Sequence, residues 1–386
     1  HIVGGDFDQA FLNRAWESEA DPAAIFHACR PGADAAAELI YTSGTTGEPK
    51  GVLHSANTLM ASMPAFTERG VGAEDMLFMA SPIAHQTGFL VGIVLPVTLG
   101  VAVVFQDVWD ADAALSTIAE EGCSFTMAST PFLADLVTAA KNRPGALSSL
   151  KRFVCAGAPV PRVLTEEAAR TIGCEVLSGW GMSENGLASA TYPGDPPAKT
   201  FATDGRASPG LEIAVVADTG VRATAGEEGD LKSRGASCFL GYMRRPELAE
   251  IDDDGWFASG DRATMDDDGY IRIVGRAKDI VIRGGENIPI VEVEELLYRM
   301  PEVVAAAIVA MPDSRLGERA CAFVEFRPDQ AFDFAAMTAR LLATGMSKTY
   351  LPERLEPVEA MPRTPSGKIQ KFILRERAQD LKPMRA

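Results

Sequence analysis

Between about residues 36 and 180, the chain alternates short apolar runs with longer amphipathic stretches. The runs have the length of buried strands, and the stretches between them carry apolar side chains at helical spacing. The strand candidates are ELIYT, MLFMA, VAVVF, SFTMAS, KRFVCAG and CEVLSG, and the helix candidates are 57–69, 88–99, 111–121, 131–141 and 164–171. This alternation predicts an α/β fold in which helices cover a parallel sheet.

The pattern changes twice further along the chain. Between about residues 211 and 275, short strands alternate with acidic turns such as IDDDGWF, which predicts an appended antiparallel β region. From Lys278 onward, the pattern predicts strand, helix, strand, strand, helix and strand, which is a small α+β domain. With the boundary near Gly275–Lys278, residues 1–276 form a large domain and residues 277–386 a small C-terminal domain.

The composition limits the classes of partner. With 386 residues, 47% of them hydrophobic and 23% charged, the chain suits a globular protein of two or more domains. A net charge of −17 argues against nucleic acid or an anionic membrane as partner, since both require a basic surface. The six cysteines include no CxxC pair, which argues against a zinc site and favours reduced thiols in a cytoplasmic protein.

One apolar segment has the minimum length of a membrane-spanning helix. Gly88–Phe105 contains 18 residues without a charge. Pro96 and Gly100 interrupt it, and its last residues, VAVVF, are largely β-branched. A buried helix that ends near Leu99, followed by a buried strand, explains the segment better than a membrane span. The sequence as given begins HIVGGDF and shows no targeting segment.

The first polar cluster is YTSGTTGEPKG, residues 41–51, which directly follows an apolar run. Glycines let backbone N–H groups converge on an anion, hydroxyls add donors, and Lys50 adds a mobile positive charge. The spacing differs from a Walker A loop, because two residues separate Gly44 from Gly47. Taken alone, the cluster is compatible with a phosphate-binding loop or with a polar surface turn.

Four further polar clusters follow along the chain. They are SGWGMSENG (178–186), GWFASGD (255–261), GRAKDIVIRGGENI (275–288) and PRTPSGKIQK (362–371). Together with the first loop, and in this order, they resemble the adenylate-forming superfamily of acyl-CoA synthetases, carrier-loading adenylation domains and luciferases. The resemblance extends from about residue 36 to the end of the chain. It is specific for the superfamily and not for a substrate.

The resemblance implies an ATP site with Mg²⁺ and suggests roles for individual residues. The first loop would hold the β- and γ-phosphates, Glu184 matches the carboxylate that binds Mg²⁺, and Asp261 matches the acceptor of the ribose hydroxyls. The other residues that the resemblance places at the nucleotide are Thr42, Ser43, Gly44, Thr45, Thr46, Gly47, Lys50, Gly157, Ala158, Pro159, Trp180, Gly181, Met182, Ser183 and Arg276. Trp180 departs from a usual tyrosine, and Ser183 departs from a usual threonine.

The resemblance also implies two half-reactions. In the first, a carboxylate attacks the α-phosphate, and Lys368 matches the catalytic lysine that stabilises the developing negative charge. In the second, the small domain pivots at the hinge residue Lys278, and Gly284 and Gly285 leave room for the pantetheine arm of coenzyme A. His85 lies where the family places an aromatic residue or histidine beside the carboxylate, although a lone histidine near an apolar helix is often a core residue.

The acid itself is only partly indicated. The segment from Ser81 to Gln106 contains no acidic residue, which argues against an amino acid substrate because a buried ammonium without a counter-charge is costly. We expect Gly88, Phe89, Gly92 and Ile93 to line a pocket for an aliphatic or alicyclic acid. GWGMSEN resembles medium-chain and alicyclic acyl-CoA ligases.

These observations predict an AMP-forming acid–CoA ligase whose partners are a carboxylic acid, ATP and CoA. Two alternatives stay open: transfer of the acyl group to a carrier protein, and a non-catalytic relative that only binds nucleotide. Family enzymes carry a longer segment before the phosphate loop, so from the resemblance we expect that an N-terminal subdomain is missing from the sequence as given. The sequence gives no indication of the oligomeric state.

Overall fold

A computed structural model describes residues 32–42, 49–158 and 160–384. In chain order, its strands are β1 (Ala36–Thr42), β2 (Lys50–Ser55), β3 (Met76–Met79), β4 (Ala102–Phe105), β5 (Phe125–Ala128), β6 (Arg152–Cys155), β7 (Glu175–Met182), β8 (Gly186–Ala190), β9 (Arg206–Ala207), β10 (Leu211–Val216), β11 (Gly229–Gly235), β12 (Gly241–Tyr242), β13 (Phe257–Met265), β14 (Ile271–Arg276), β15 (Val281–Arg283), β16 (Glu286–Ile288), β17 (Val303–Asp313), β18 (Gly317–Phe326) and β19 (Arg354–Val358).

The helices of the described residues lie between these strands and at the end of the chain. They are α1 (Ala56–Ala61), α2 (Pro64–Thr67), α3 (Gln86–Phe89), α4 (Leu95–Leu99), α5 (Ala111–Glu121), α6 (Thr130–Lys141), α7 (Arg162–Ile172), α8 (Pro197–Thr200), α9 (Ile290–Tyr298), α10 (Phe334–Ala343) and α11 (Lys371–Ala378). A π-helical turn, Leu90–Val94, joins α3 to α4, and short 3₁₀ turns occur at Pro246–Leu248, Ala277–Asp279 and Lys348–Tyr350.

The predicted parallel sheet is confirmed for β3 to β7. Its strand order is β4-β3-β5-β6-β7, and antiparallel strands β8 and β9 extend it. Neighbouring residues of one strand point to opposite faces: Phe78 and Phe153 pack with α5, α6 and α7, whereas Leu77 and Val154 pack with the helices of the other face. Helices thus cover both faces, as a parallel sheet requires.

The prediction that ELIYT belongs to this sheet is wrong. β1 pairs antiparallel with β2, and β2 pairs antiparallel with β12 in a separate three-stranded sheet. The polar segment between β1 and β2 is too short for the crossover that a parallel neighbour needs, so the chain returns antiparallel. The helix predicted for 57–69 is divided into α1 and α2, with Pro64 as the first residue of the second helix.

The apolar segment that begins at Gly88 forms part of the α3–α4 helix, which ends at Leu99, and is followed by β4, as predicted. Gly100 ends the helix in a left-handed conformation with φ of 69°. Among the described residues, no helix combines the length and apolarity that crossing a membrane requires.

The two C-terminal patterns are also confirmed. The antiparallel region has the strand order β10-β11-β13-β14, and the small α+β region has the order β16-β15-β18-β17, with β19 parallel to β18. The run KDIVIRGGENI contains a hairpin, β15 and β16, rather than one strand. Helix α11 was not predicted, because its eight residues bury only Leu374 and Ala378 and so carry a weak apolar pattern.

The apolar clusters are segregated along the chain. Two clusters contain only residues from Val281 onward, and the remaining clusters of the described residues contain none beyond Ile273. This segregation agrees with a boundary between the two regions near Arg276. The predicted division at residues 276 and 277 itself stays a prediction.

Candidate active site

Several of the predicted site residues lie at one edge of the parallel sheet. The carboxyl ends of parallel strands meet at this edge, which is where α/β folds bind ligands. Gly157 and Ala158 follow β6, and Glu184 lies in the turn between β7 and β8. Trp180 and Met182 lie within β7, because the strand continues into the hairpin with β8.

Asp261 joins two other predicted residues. Its carboxylate accepts a hydrogen bond from Trp180 Nε1 at 2.8 Å and another from Arg276 Nε at 2.8 Å. Asp261 and Arg276 are also paired residues of β13 and β14. Because Asp261 is only 5% exposed, these donors offset the cost of burying its charge. They also fix the orientation of the carboxylate.

Glu184 contacts a residue that the sequence reasoning missed. Tyr242 Oη donates a hydrogen bond to Glu184 Oε1 at 2.7 Å, and Lys50 Nζ lies 4.5 Å from the centroid of the Tyr242 ring. Pairing of β12 with β2 brings Tyr242 beside the strand that begins with Lys50. Burial, together with the charge of Glu184, raises the pKa of Tyr242, which therefore stays a neutral donor. The only sequence feature that could have indicated Tyr242 is that it closely follows the apolar run CFL.

The turn between β7 and β8 is fixed by contacts within the chain. A Cβ atom on Gly181 would lie 1.9 Å from the Gly186 carbonyl oxygen, so only glycine fits there. Asn185, which is fully buried, accepts a hydrogen bond from the Met182 N–H at 2.9 Å. His54 Nε2 donates to the Ser183 carbonyl at 2.7 Å. The sequence analysis identified neither His54 nor Asn185, because their side chains contact backbone groups of the turn.

Lys368 reaches the same site from the small C-terminal region. Lys368 is exposed at the surface, but the surrounding protein atoms desolvate its ammonium group and disfavour the charged form. This desolvation, with the charge of Arg276, lowers the pKa of Lys368 to about 8. Three acidic groups oppose the shift, namely Asp261, Asp279 and Glu184. The structure therefore brings Lys368 together with the residues of the predicted nucleotide site.

His85 has a structural contact of its own. As the N-cap of α3, its Nδ1 accepts a hydrogen bond from the Thr87 N–H at 3.3 Å. Burial lowers the pKa of His85, and the charge of Lys368 lowers it further, so the ring is neutral near pH 7. The histidine lies close enough to Lys368 to interact with it electrostatically. Its predicted role beside the substrate carboxylate stays a prediction.

Two glycines of the predicted acid pocket pack closely against other parts of the protein, and their place in the pocket lining stays a prediction. A Cβ atom on Gly88 would lie 2.1 Å from the Pro82 carbonyl oxygen, and one on Gly92 would lie 2.8 Å from Phe105 Cε1. Both glycines therefore allow the α3–α4 helix to pack closely against the protein itself. Phe89, in contrast, borders a cavity of about 480 Å³, whose lining residues are Ala37, Glu38, Leu39, Ile40, Tyr41, Ile83, Ala84 and Phe89.

One acid was missed because it lies on another segment. Glu38 of β1 is 7% exposed, and its Oε2 accepts a hydrogen bond from Gln86 Nε2 at 3.3 Å. Burial raises the pKa of Glu38 to about 7, and the hydrogen bond from Gln86 opposes that shift. The segment from Ser81 to Gln106 contains no acid, but the cavity of the folded protein is lined by one, Glu38. The argument against an amino acid substrate loses its premise.

The predicted glycine pair and hinge residue are not part of the Lys368 cluster, the name we give to Lys368 with Asp261, Arg276 and Glu184. Gly284 and Gly285 have φ of 61° and 93°, which matches the two-residue type I′ turn of the β15–β16 hairpin. Lys278 is exposed in a 3₁₀ turn, and its carbonyl accepts a hydrogen bond from Arg375 Nη1 at 3.1 Å. Within the described residues, no hydrogen bond or ion pair joins the two glycines to the cluster.

Part of the predicted phosphate loop cannot be placed. Ser43, Gly44, Thr45, Thr46, Gly47 and Pro159 lie outside the described residues. Thr42 and Lys50 border the loop as paired residues of β1 and β2. The described residues contain no group of three or more His, Cys, Asp or Glu side chains that could hold a metal ion by themselves.

Two family profiles account for most of the chain. Residues 4–243 match the AMP-binding enzyme family, and residues 292–368 match the AMP-binding enzyme C-terminal domain. The chain belongs to the AMP-binding enzyme family. The resemblance inferred from the motifs and the expected fold class are thereby confirmed.

The chain is similar to curated proteins that are named as CoA ligases. It is 38% identical over 361 residues to the medium-chain fatty-acid–CoA ligase of Escherichia coli K12, with 92% of this chain and 64% of the ligase covered. It is 32% identical over 381 residues to 3-[(3aS,4S,7aS)-7a-methyl-1,5-dioxo-octahydro-1H-inden-4-yl]propanoyl:CoA ligase of Rhodococcus jostii, with 96% and 70% covered. The crystal structure of ATP-bound MatB from Rhodopseudomonas palustris matches with a TM-score of 0.84 and 30% identity, covering 91% of this chain and 69% of that one. The chain thus spans about two thirds of the length of these relatives.

Proposed function

We propose that the protein is an AMP-forming acid–CoA ligase. It would convert a carboxylic acid and ATP to acyl-AMP and pyrophosphate, and then form the CoA thioester with release of AMP. The observation that carries the proposal is the approach of Lys368 to Asp261, Arg276 and Glu184 at the ligand-binding edge of the sheet. Relatives named as CoA ligases support the second step.

Residues of the Lys368 cluster would contact different parts of ATP. Asp261 keeps oxygen lone pairs beyond those used by Trp180 and Arg276, and these would accept the ribose hydroxyls. Lys368 would stabilise negative charge that builds at the α-phosphate when the carboxylate attacks. This chemistry needs positioning and charge, and the protein forms no covalent bond with the substrate.

Glu184 fits a role as ligand for Mg²⁺. Its carboxylate is buried, Tyr242 occupies Oε1, and no hydrogen bond from a described residue reaches Oε2. A hard dication prefers such carboxylate oxygens together with phosphate oxygens of the nucleotide. Glu184 would therefore hold Mg²⁺ jointly with ATP, and the ion would neutralise phosphate charge. Tyr242 would keep the carboxylate oriented.

Glu184→Gln is expected to raise sharply the Mg²⁺ concentration that half-saturates acyl-AMP formation. The neutral amide is a poorer ligand for a hard dication than the carboxylate is. Titration of pyrophosphate exchange with Mg²⁺ measures the effect. Tyr242→Phe is the matched control, because it removes one hydrogen bond to Glu184 and keeps the charge. An unchanged Mg²⁺ titration in Glu184→Gln contradicts the assignment.

Trp180→Phe is expected to raise KM for ATP by about tenfold, which corresponds to about 1.4 kcal/mol, close to the lower end of what one hydrogen bond to a charged group contributes. Phenylalanine keeps an aromatic face but removes the indole N–H that orients Asp261. The measurement is pyrophosphate exchange against ATP concentration, with 2′-deoxy-ATP as comparison. If Asp261 reads the ribose through this arrangement, the variant discriminates less between the two nucleotides. Undiminished discrimination argues against it.

The proposed acid is aliphatic, medium-chain or alicyclic. Apolar side chains of Phe89 and Ile83 border the cavity beside α3, and two relatives are named for acids of this kind. Because Glu38 also borders this cavity, acids with a second polar group belong in the test. Carboxylate-dependent exchange of pyrophosphate into ATP, run over a panel of fatty, alicyclic, aromatic and amino acids, tests both the activity and the class.

The thiol acceptor is tested in the same assay. CoA and a carrier protein offer the same pantetheine thiol, and acyl-CoA measured against acyl-carrier product separates ligase from carrier loading. No exchange with any acid supports the non-catalytic alternative. A cytoplasmic location is also proposed, because the described cysteines Cys123, Cys155, Cys174, Cys238 and Cys321 are all free thiols.

A further inference from the structure

Glu295 forms ion pairs that connect the two parts of the molecule. It lies on α9, and its carboxylate pairs with Arg272 of β14 and lies 3.9 Å from the Nε atom of Arg162, the first residue of α7. The Glu295 and Arg272 side chains are 15% and 17% exposed, whereas Arg162 is 41% exposed. Both arginines precede the predicted hinge at Lys278, and Glu295 follows it.

The position of Glu295 is coupled to that of Lys368 through the preceding residue, Glu294. Glu294 is 5% exposed, and its Oε1 accepts hydrogen bonds from Lys371 Nζ at 2.6 Å and from the Ile308 N–H at 2.7 Å. Lys371 lies three residues after Lys368. Glu294 thus connects α9 to β17 and to the segment that carries the lysine, while Glu295 contacts the large region.

A second contact joins the Lys368 loop itself to the large region. Ser129 Oγ, just before α6, donates a hydrogen bond to the Ser366 carbonyl at 2.7 Å. A Cβ atom on Gly367 would lie 2.9 Å from Ser129 Oγ and 3.2 Å from Pro131 Cγ, so the loop packs tightly here. Two separate contacts therefore fix the orientation in which Lys368 lies in the nucleotide site.

The ion pair is suited to forming and breaking. When Glu295 moves away, Arg272 keeps Asp204, whose Oδ2 lies 3.5 Å from Arg272 Nη1. The Arg162 side chain is 41% exposed, with its Nε atom buried beside Glu295, and both this atom and Glu295 would be hydrated after a pivot. Separation therefore leaves no buried charge without a partner, which is the outcome that makes broken ion pairs costly.

We propose that Glu295, through Arg162 and Arg272, is a positioning residue that holds Lys368 in the site for acyl-AMP formation and is released for thioester formation. The inference rests on the proposed two-step function. In this proposal, the ion pairs of Glu295 favour one of two orientations of the small region. Ion pairs worth a few RT are strong enough to shift the populations of two such orientations.

Glu295→Gln tests the proposal, because it removes the charge and keeps the shape. The rate of acyl-AMP formation is expected to fall about three- to tenfold, while CoA thioester formation from supplied acyl-AMP stays equal or increases. Arg162→Gln, at an exposed side chain, is the second variant and is expected to shift the two rates in the same directions. Glu292→Gln, exposed on the same helix, is the control and is expected to change neither rate.

Hydrogen–deuterium exchange provides a readout that does not depend on activity. In Glu295→Gln, exchange is expected to rise in peptides covering 362–371 and the start of α6, and to stay unchanged in β17 and β18. Equal losses in both half-reactions, unchanged acyl-AMP formation or unchanged exchange in 362–371 each overturn the proposal. Absence of pyrophosphate exchange in the unmodified protein refutes the proposed function instead, and the deuterium comparison then still decides whether Glu295 orients the lysine loop.

Discussion

Lys368→Ala is expected to lower the rate of acyl-AMP formation by about a hundred- to a thousandfold, or roughly 3 to 4 kcal/mol. Lys368 is a cation near Asp261, Arg276 and Glu184, in position to stabilise charge that develops at the α-phosphate. Thioester formation from supplied acyl-AMP does not create that charge and should be largely retained. Pyrophosphate exchange measures the first step. The CoA-dependent release of AMP from supplied acyl-AMP measures the second step.

Lys348→Ala is the control for the Lys368 prediction, because Lys348 is an exposed lysine of the same small region. The pH profile adds an independent check. Because the pKa of Lys368 is lowered to about 8, the lysine is cationic below that pH and loses its charge above it. The kcat/KM of the first step, which reports the free enzyme, should therefore fall as pH rises through about 8. Equal losses in both half-reactions would falsify the assignment of Lys368.

The regions with a strong local pattern were predictable from the sequence. Strands β3 to β7 are short, apolar and separated by amphipathic helices, so the period of the pattern and the required crossovers both indicate a parallel sheet. β1 has the same apolar composition but a short connection to β2, and the connection decides its pairing. Local composition alone does not distinguish the two cases.

The candidate site was predictable only where a motif carries it. Trp180, Glu184, Asp261 and Lys368 come from three separate motifs, and the structure brings them together. Tyr242, His54 and Glu295 were missed because each acts through a partner distant in the sequence. Glu38 shows the same limitation: its burial depends on a helix that begins about 50 residues later, at Gln86.

Lys278→Pro is expected to leave acyl-AMP formation near the normal rate and to lower its conversion by CoA by orders of magnitude. Lys278 lies in the 3₁₀ turn Ala277–Asp279. Such turns have φ of about −50° to −70°, close to the value near −65° that proline imposes. Proline would preserve this turn and oppose the change of φ that a pivot requires. The orientation that keeps Lys368 in the nucleotide site would then persist.

The hinge prediction is separable from simple damage to the fold. Lys278→Ala removes the same charged side chain but leaves φ free, so it should support both half-reactions. Arg375 donates to the Lys278 carbonyl, which either replacement retains, and this contact should persist in both variants. If Lys278 were only a solvated lysine and not a hinge, proline would change both half-reactions to the same extent, with or without a lower melting temperature. A selective loss of the CoA step in Lys278→Pro, with an unchanged melting temperature, therefore identifies Lys278 as the residue at which the small region pivots.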